Sequence, residues 1–254
     1  TNSSLVDYNR TGTPLLEIVS EPELRSPQEA YDYLQALKLT LEYLHVSDCD
    51  MEKGSLRCDA NVSIREAGAK TFGTKTELKN MNSFKAVRIA LEFEEKRQRE
   101  VVSSGGRVIQ ETRLWSEEKG ATVTMRSKEE AHDYRYFPEP DLVPFDIDEA
   151  LIEEVRRSIP ELPRQKFERF TGEYGLSEYD ARIIVADQHI AHFFEACAKL
   201  YAATKKICNW LNGPLLQELN ARKMGFSGIK ITPDDLIAIM RKVDENVLSN
   251  LAAK

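Results

Sequence analysis

The chain has 254 residues, is 41% hydrophobic and 30% charged, and carries a formal net charge of −7. That size allows one large domain or two ordinary ones, and the composition is that of a globular chain. No apolar run approaches the ~18 residues of a membrane span. Residues 1–150 carry net −8 and residues 151–254 net +1, so neither half has the basic footprint of an autonomous nucleic-acid binder. The four cysteines, Cys49, Cys58, Cys197 and Cys208, show no C-x-x-C spacing, so reduced structural thiols are expected rather than a zinc site. Thr1 opens straight into a patterned segment with no secretory signal, which reads as a piece of a longer chain.

The elements follow in order. Leu15 to Ser20 reads as a strand after the Gly12-Thr13-Pro14 turn. Ser26 is a good N-cap, Pro27 suits the first turn, and Glu29 completes a capping box. Ala30, Tyr33, Leu34, Leu37, Leu41 and Leu44 then form a helical stripe. In residues 55–65 every even position is apolar and every odd position polar, the period-2 signature of a strand with one buried face. Residues 74–79 pair with it as a hairpin. Ser83 caps a helix running to about Ser103, ended by Gly105-Gly106. A second hairpin spans Arg107 to Trp115 and Ala121 to Arg126. This predicts an α+β layout, with helices covering one face of a largely antiparallel sheet. Pro138, Pro140 and Pro144 mark a boundary over residues 137–145. Beyond it the spacing is helical near 148–158, 164–173, 177–202, 203–220 and 233–250. A first domain over 1–147 and an all-α domain over 148–254 are expected.

Phosphate loops, G-x-G-x-x-G and G-x-S-x-G motifs are all missing from the sequence. Any nucleotide chemistry therefore rests on metal and charged side chains. Glu17, flanked by apolar residues in L-L-E-I-V, is costly to bury unless paired or metal-bound; an edge strand with Glu17 in water is the alternative. Arg57, Asp59, Asn61, Lys75, Glu77 and Lys79 share the polar strand faces. They suit phosphate and Mg²⁺, or else a solvated face of cross-strand ion pairs. His132 to Asp141 reads as a ligand clamp or a packed linker. His189 and His192, one turn apart, make a weak metal case.

Five stretches carry a resemblance: V-D-Y-N-R-T-G-T-P-L-L-E-I-V-S-E-P, M-E-K-G-S-L-R-C-D-A-N-V-S, G-T-K-T-E-L-K-N-M-N-S-F, Q-E-T-R-L-W and H-D-Y-R-Y-F-P-E-P-D-L. In the same order, these resemble the B subunit of the tRNA-dependent aspartyl/glutamyl-tRNA amidotransferases. The resemblance implies a glutamine-synthetase-like cradle domain followed by a helical domain. It also implies ATP and Mg²⁺ as cofactors and an amidase A subunit and small C subunit as partners. The substrates would be Glu-tRNA(Gln) or Asp-tRNA(Asn), and the location cytoplasmic in preference to organellar. Glu17 matches a metal-ligand position. Arg57, Asp59, Asn61, Glu77 and Lys79 fall in family motifs as catalytic candidates, with Arg57 and Lys79 for the nucleotide. The family places a strand with Glu and His metal ligands, and an acidic segment, ahead of the position of Thr1, and a tail domain after Lys254. An incomplete site is therefore expected. The alternatives are a non-catalytic tRNA-binding or assembly subunit, a ligase for a free amino acid, and the archaeal Glu-tRNA(Gln)-specific paralogue.

Overall fold

The computed structural model describes residues 5–8, 12–127 and 142–253, the side chains of residues 126 and 127 excepted. Helix α1 spans Pro27–Tyr43. Ser26 sits in an extended conformation, and its hydroxyl accepts from the Glu29 amide at 3.1 Å. The Glu29 carboxylate accepts from the Arg25 amide, one residue before the cap, a shifted form of the expected box. Helix α2 spans Phe84–Ser103, capped by Ser83 at the Ala86 amide. It ends as the paired glycines predict: Gly105 has φ +81°, and the Gly106 amide reaches back to the Val101 carbonyl at 2.9 Å. Such a left-handed turn favours glycine, and it satisfies carbonyls the helix leaves orphaned.

Among the described residues, four strands form one sheet in the order β1 (Ala60–Val62), β2 (Thr76–Lys79), β3 (Glu111–Ser116), β4 (Ala121–Ser127). The two predicted hairpins are both present: β1 pairs antiparallel with β2, and β3 with β4. At Gly73, between β1 and β2, an added Cβ would lie 2.0 Å from the Ile64 carbonyl oxygen, so a side chain would force the hairpin apart. The central pairing, β2 with β3, is parallel. The sheet is therefore mixed rather than largely antiparallel. The reason is topological: α2 lies between β2 and β3 in the chain, and a helical crossover returns the strand in the same direction.

The strand expected over Leu15 to Ser20 does not form. Residues 13–21 have no regular structure, and Leu15, Leu16 and Val19 are 90%, 67% and 82% exposed. β-propensity supplies an extended conformation but no partner edge, and none of the four described strands pairs with this segment.

Helices α3 (Glu149–Ser158), α4 (Pro163–Gly172), α5 (Glu178–Val185) and α6 (Gln188–Leu200) follow. The expected single helix over 177–202 is two, because the Asp187 carboxylate accepts from the amides of His189 and Ile190 and caps a new start. After α7 (Thr204–Trp210), Gly213-Pro214 does not break the chain. Residues Leu211–Leu215 widen into a π turn that leads into α8 (Leu216–Arg222). Proline cannot donate to the ordinary ladder, and one wider turn absorbs the loss. Helices α9 (Pro233–Asp244) and α10 (Asn250–Ala253) follow.

Two apolar clusters form. Leu34, Leu78, Met81, Val87, Ala90, Leu91 and Trp115 build the first. Phe170, Ile184, Phe194, Ile207, Leu211 and Met240 lie in the second. Helix α1 serves both. Leu34 belongs to the first, whereas Tyr43, 1% exposed, belongs to the second, and its hydroxyl donates to the Val185 carbonyl at 2.8 Å.

Candidate active site on the outer sheet face

Paired residues of neighbouring strands share a face. The even residues of β1 and β2, namely Ala60, Val62, Thr76 and Leu78, face α2, as the alternation predicts. Asn61, Glu77 and Thr112 are cross-strand neighbours on the opposite, outer face. Lys79 lies on that face as well. Its ammonium contacts the Asp59 carboxylate and sits 3.6 Å from Glu77 Oε1. The structure thus brings Asp59, Asn61, Glu77 and Lys79 into one row. The row is half-open: the side chains of Asp59, Lys79 and Glu77 are 49%, 31% and 14% exposed. Next to Lys79, at its β3 partner Leu114, begins a shallow pocket of about 390 Å³ lined by Asn80, Asn82, Trp115 and Glu118 among others. The Asn80 side-chain amide holds the Trp115 carbonyl at 3.0 Å.

The other candidates are placed differently. Arg57 and Lys75 are exposed. Glu17 stands on the exposed extended segment, outside the sheet. No group of three or more His, Cys, Asp or Glu side chains is gathered for a metal among the described residues. His189 and His192 lie on the exposed side of α6, whose other side carries the buried Phe193 and Phe194. His132 to Asp141 fall outside the described residues. All four cysteines are free, and burial pushes the Cys58 thiol up to about 11 and those of Cys197 and Cys208 to about 12. Thiols so shifted stay protonated and unreactive near neutrality.

The inner face holds a polar layer that the strand pattern does not reveal. Glu94 of α2 is fully buried. Its carboxylate accepts from Arg97 Nε at 2.9 Å, Gln98 Nε2 at 3.1 Å and Thr122 Oγ1 at 2.9 Å. Burial alone would push its pKa up. The Arg97, Gln98 and Thr122 hydrogen bonds and the Arg97 charge outweigh that and hold it below the usual carboxylate range. Gln98 spans β1 and β2, donating to the Val62 carbonyl and the Thr76 hydroxyl. Arg113 of β3 forks onto Glu111, Thr122 and Thr124, and lies 3.5 Å from Glu94 Oε2. The signal for this layer was a four-residue spacing: Ala86, Ala90, Glu94 and Gln98 fall on one helix stripe, and all four are buried.

Residues 1–153 match the GatB/GatE catalytic domain and residues 192–254 the GatB domain. The chain belongs to the GatB/GatE family. It is 55% identical over 254 residues, its full length, to the B subunit of the aspartyl/glutamyl-tRNA(Asn/Gln) amidotransferase of Caldanaerobacter subterraneus subsp. tengcongensis. It is 53% identical over 251 residues to the protein of that name from Moorella thermoacetica, and 54% over 251 residues to that from Brevibacillus brevis, 99% of the chain in both cases. The chain spans about half the length of these relatives, 54%, 53% and 52% respectively. No helix among the described residues is long and apolar enough to cross a membrane.

Proposed function

We propose that this chain is the carboxylate-activating part of the B subunit of a tRNA-dependent amidotransferase, a carbon–nitrogen ligase. Its substrate is Glu-tRNA(Gln) or Asp-tRNA(Asn), whose side-chain carboxylate is a poor acyl donor because its leaving group would be oxide. Phosphorylation replaces that with a good leaving group. Ammonia, released from glutamine on an amidase A subunit in a complex that includes a small C subunit, then displaces phosphate. The names of relatives matched along the whole chain support the reaction class. From the family resemblance of the sequence motifs, residues 1–147 are proposed as a glutamine-synthetase-like cradle and 148–254 as a helical domain, acting in the cytoplasm.

One observation carries the site: the row of Asp59, Asn61, Glu77 and Lys79 on one open sheet face. Its donor set fits nucleotide and metal. Mg²⁺ takes one or two carboxylates and completes its shell with water and phosphate oxygens, so no three-acid cage is required. ATP with Mg²⁺, when bound, supplies the phosphoryl group and neutralises its charge. Lys79 and the exposed Arg57 bind phosphate oxygens. Glu17, on the exposed segment outside the sheet, would supply a carboxylate to the metal. Asp59 and Glu77 hold the Lys79 ammonium over the face, and Asn61 offers an amide to the substrate.

The test uses the assembled amidotransferase. Lys79→Met and Glu17→Gln are each assayed for ATP-dependent amidation across a Mg²⁺ titration, with glutamine hydrolysis followed separately as a check on assembly. Loss of one electrostatic contact to the transferring group lowers rate about 10²–10³-fold. Wild-type amidation by both variants at every Mg²⁺ concentration overturns the site.

A further inference from the structure

The Gln110-Glu111-Thr112-Arg113 stretch is not used by the proposed site, yet it lies directly against it. Thr112 of β3 is the parallel-register partner of Glu77 and is fully buried. Its hydroxyl donates to Glu77 Oε2 at 2.6 Å. The other Glu77 oxygen, Oε1, is the one 3.6 Å from the Lys79 ammonium. The two carboxylate oxygens are thus differentiated: one is tied to the sheet, the other is turned along the row. The strand that carries Thr112 is itself clamped. The β3–β4 register shifts between Thr112 and Arg113, and at that bulge the partly buried Arg113 guanidinium holds the Thr122 carbonyl at 2.8 Å, the Thr122 hydroxyl at 2.9 Å and the Thr124 hydroxyl at 2.8 Å. Bulges re-aim side chains at particular positions. Here the clamp on the inner face fixes where the Thr112 hydroxyl sits on the outer face.

We propose that Thr112 is a positioning residue of the active site: its buried hydroxyl sets the orientation in which the Glu77 carboxylate meets Lys79, the proposed phosphate-binding ammonium. The inference rests on the reading of the outer face as the nucleotide site. A carboxylate that must be ordered on binding loses affinity to the ordering, whereas one already held does not. A hydrogen bond to a charged group is also stronger than one between neutral partners.

The experiment compares Thr112→Val, which keeps shape and removes the donor, with Thr112→Ser, which keeps the donor, in the assembled enzyme. Glu77→Gln is carried alongside. The readouts are the calorimetric Kd for ATP in the presence of Mg²⁺, kcat for amidation, and the melting temperature. Thr112→Val is expected to weaken ATP binding and slow amidation about 10- to 100-fold, the range for one hydrogen bond to a charged group. Thr112→Ser is expected to restore most of both at a melting temperature no higher than that of Thr112→Val. Should Thr112→Val not fold, Thr112→Ala against Thr112→Ser isolates the hydroxyl at equal loss of the methyl group. Wild-type behaviour of Thr112→Val beside a crippled Glu77→Gln overturns the role of Thr112 and leaves the site standing. Wild-type behaviour of Glu77→Gln overturns Glu77 as a site residue and the Thr112 role with it. Equal losses in the Val and Ser variants, tracking the melting temperature, make Thr112 structural and overturn the proposal.

Discussion

At the scale of single residues, the inner face governs stability and the outer face carries the proposed chemistry. Glu94 accepts from Arg97, Gln98 and Thr122 in full burial. Replacing it with Ala strands those donors and removes one of the two carboxylates beside Arg113, Glu111 remaining at 2.6 Å. Removing one partner of a buried charge network typically costs about 3–5 kcal/mol. Urea unfolding of Glu94→Ala is expected to show a loss of that size, whereas a change within about 0.5 kcal/mol would mark the layer as energetically idle. The residues of this layer are only half legible in the sequence. Polar side chains in a helix read as solvent-facing, and only the four-residue spacing from Ala86 through Gln98 places Glu94 on the buried stripe. The row of Asp59, Asn61, Glu77 and Lys79 is legible, because strict alternation assigns every other side chain to one face. The placement of Glu17 is not. Its apolar neighbours suggest a buried strand, and whether they find a partner edge is decided by tertiary pairing, on which local pattern is silent.

At the scale of elements, caps are the most readable feature and strand lengths the least. Ser26 and Ser83 each accept an amide inside the first turn of their helices, as expected, and Ser177 and Thr232 do the same. Ser83 does more than start α2: it ends the loop that leaves Lys79 and passes the Asn80 and Asn82 lining of the pocket. Ser83→Ala is expected to cost about 1 kcal/mol in a denaturant melt. A Ser83→Asp variant, which restores the acceptor, is expected to recover most of it; equal melts for all three would show that the cap adds nothing. The break at Ala186-Asp187 is hidden in the sequence because the apolar spacing runs on through it. The π turn at Leu211–Leu215 is hidden for the opposite reason: Gly213-Pro214 reads as a stop, yet the buried Leu211 and Leu219 on either side keep the helix course worth maintaining.

At the scale of the whole molecule, two clusters stand on different electrostatics. The helical one is pinned by Lys166 and Arg169 of α4 against Glu161 and Glu195 of the adjoining turn and α6, with Lys166 2.8 Å from Glu195 and Arg169 2.6 Å from Glu161. The Arg169 hydrogen bond leads in lowering Glu161 from 4.5 to about 2. Burial opposes the shift at Glu195, but Lys166 and Arg169 outweigh it, so that carboxyl is lowered too. A carboxyl lowered in the folded state contributes stability that is complete above its unfolded pKa and is lost as pH falls through the folded one. The helical cluster should therefore weaken between pH 4.5 and about 2. Trp210 packs against that cluster and Trp115 lies in the other, so fluorescence of a Trp115→Phe variant reads it alone. Its urea midpoint should drop across this window, and Glu161→Gln should flatten the drop; a flat wild-type profile would refute the account.

The helix shared between the clusters also sets a timetable for synthesis. Tyr43 is made before its acceptor at Val185, which lies 142 residues later in the chain. At ribosomal rates of about 5–20 residues per second, roughly 7 to 28 s separate the two. For that interval one end of α1 is a sticky aromatic surface on a nascent chain, and the sheet, whose last strand ends at Ser127, is complete before Val185 is made. A chaperone that binds emerging apolar segments would find a persistent target there, and slower elongation would lengthen the hazard in proportion.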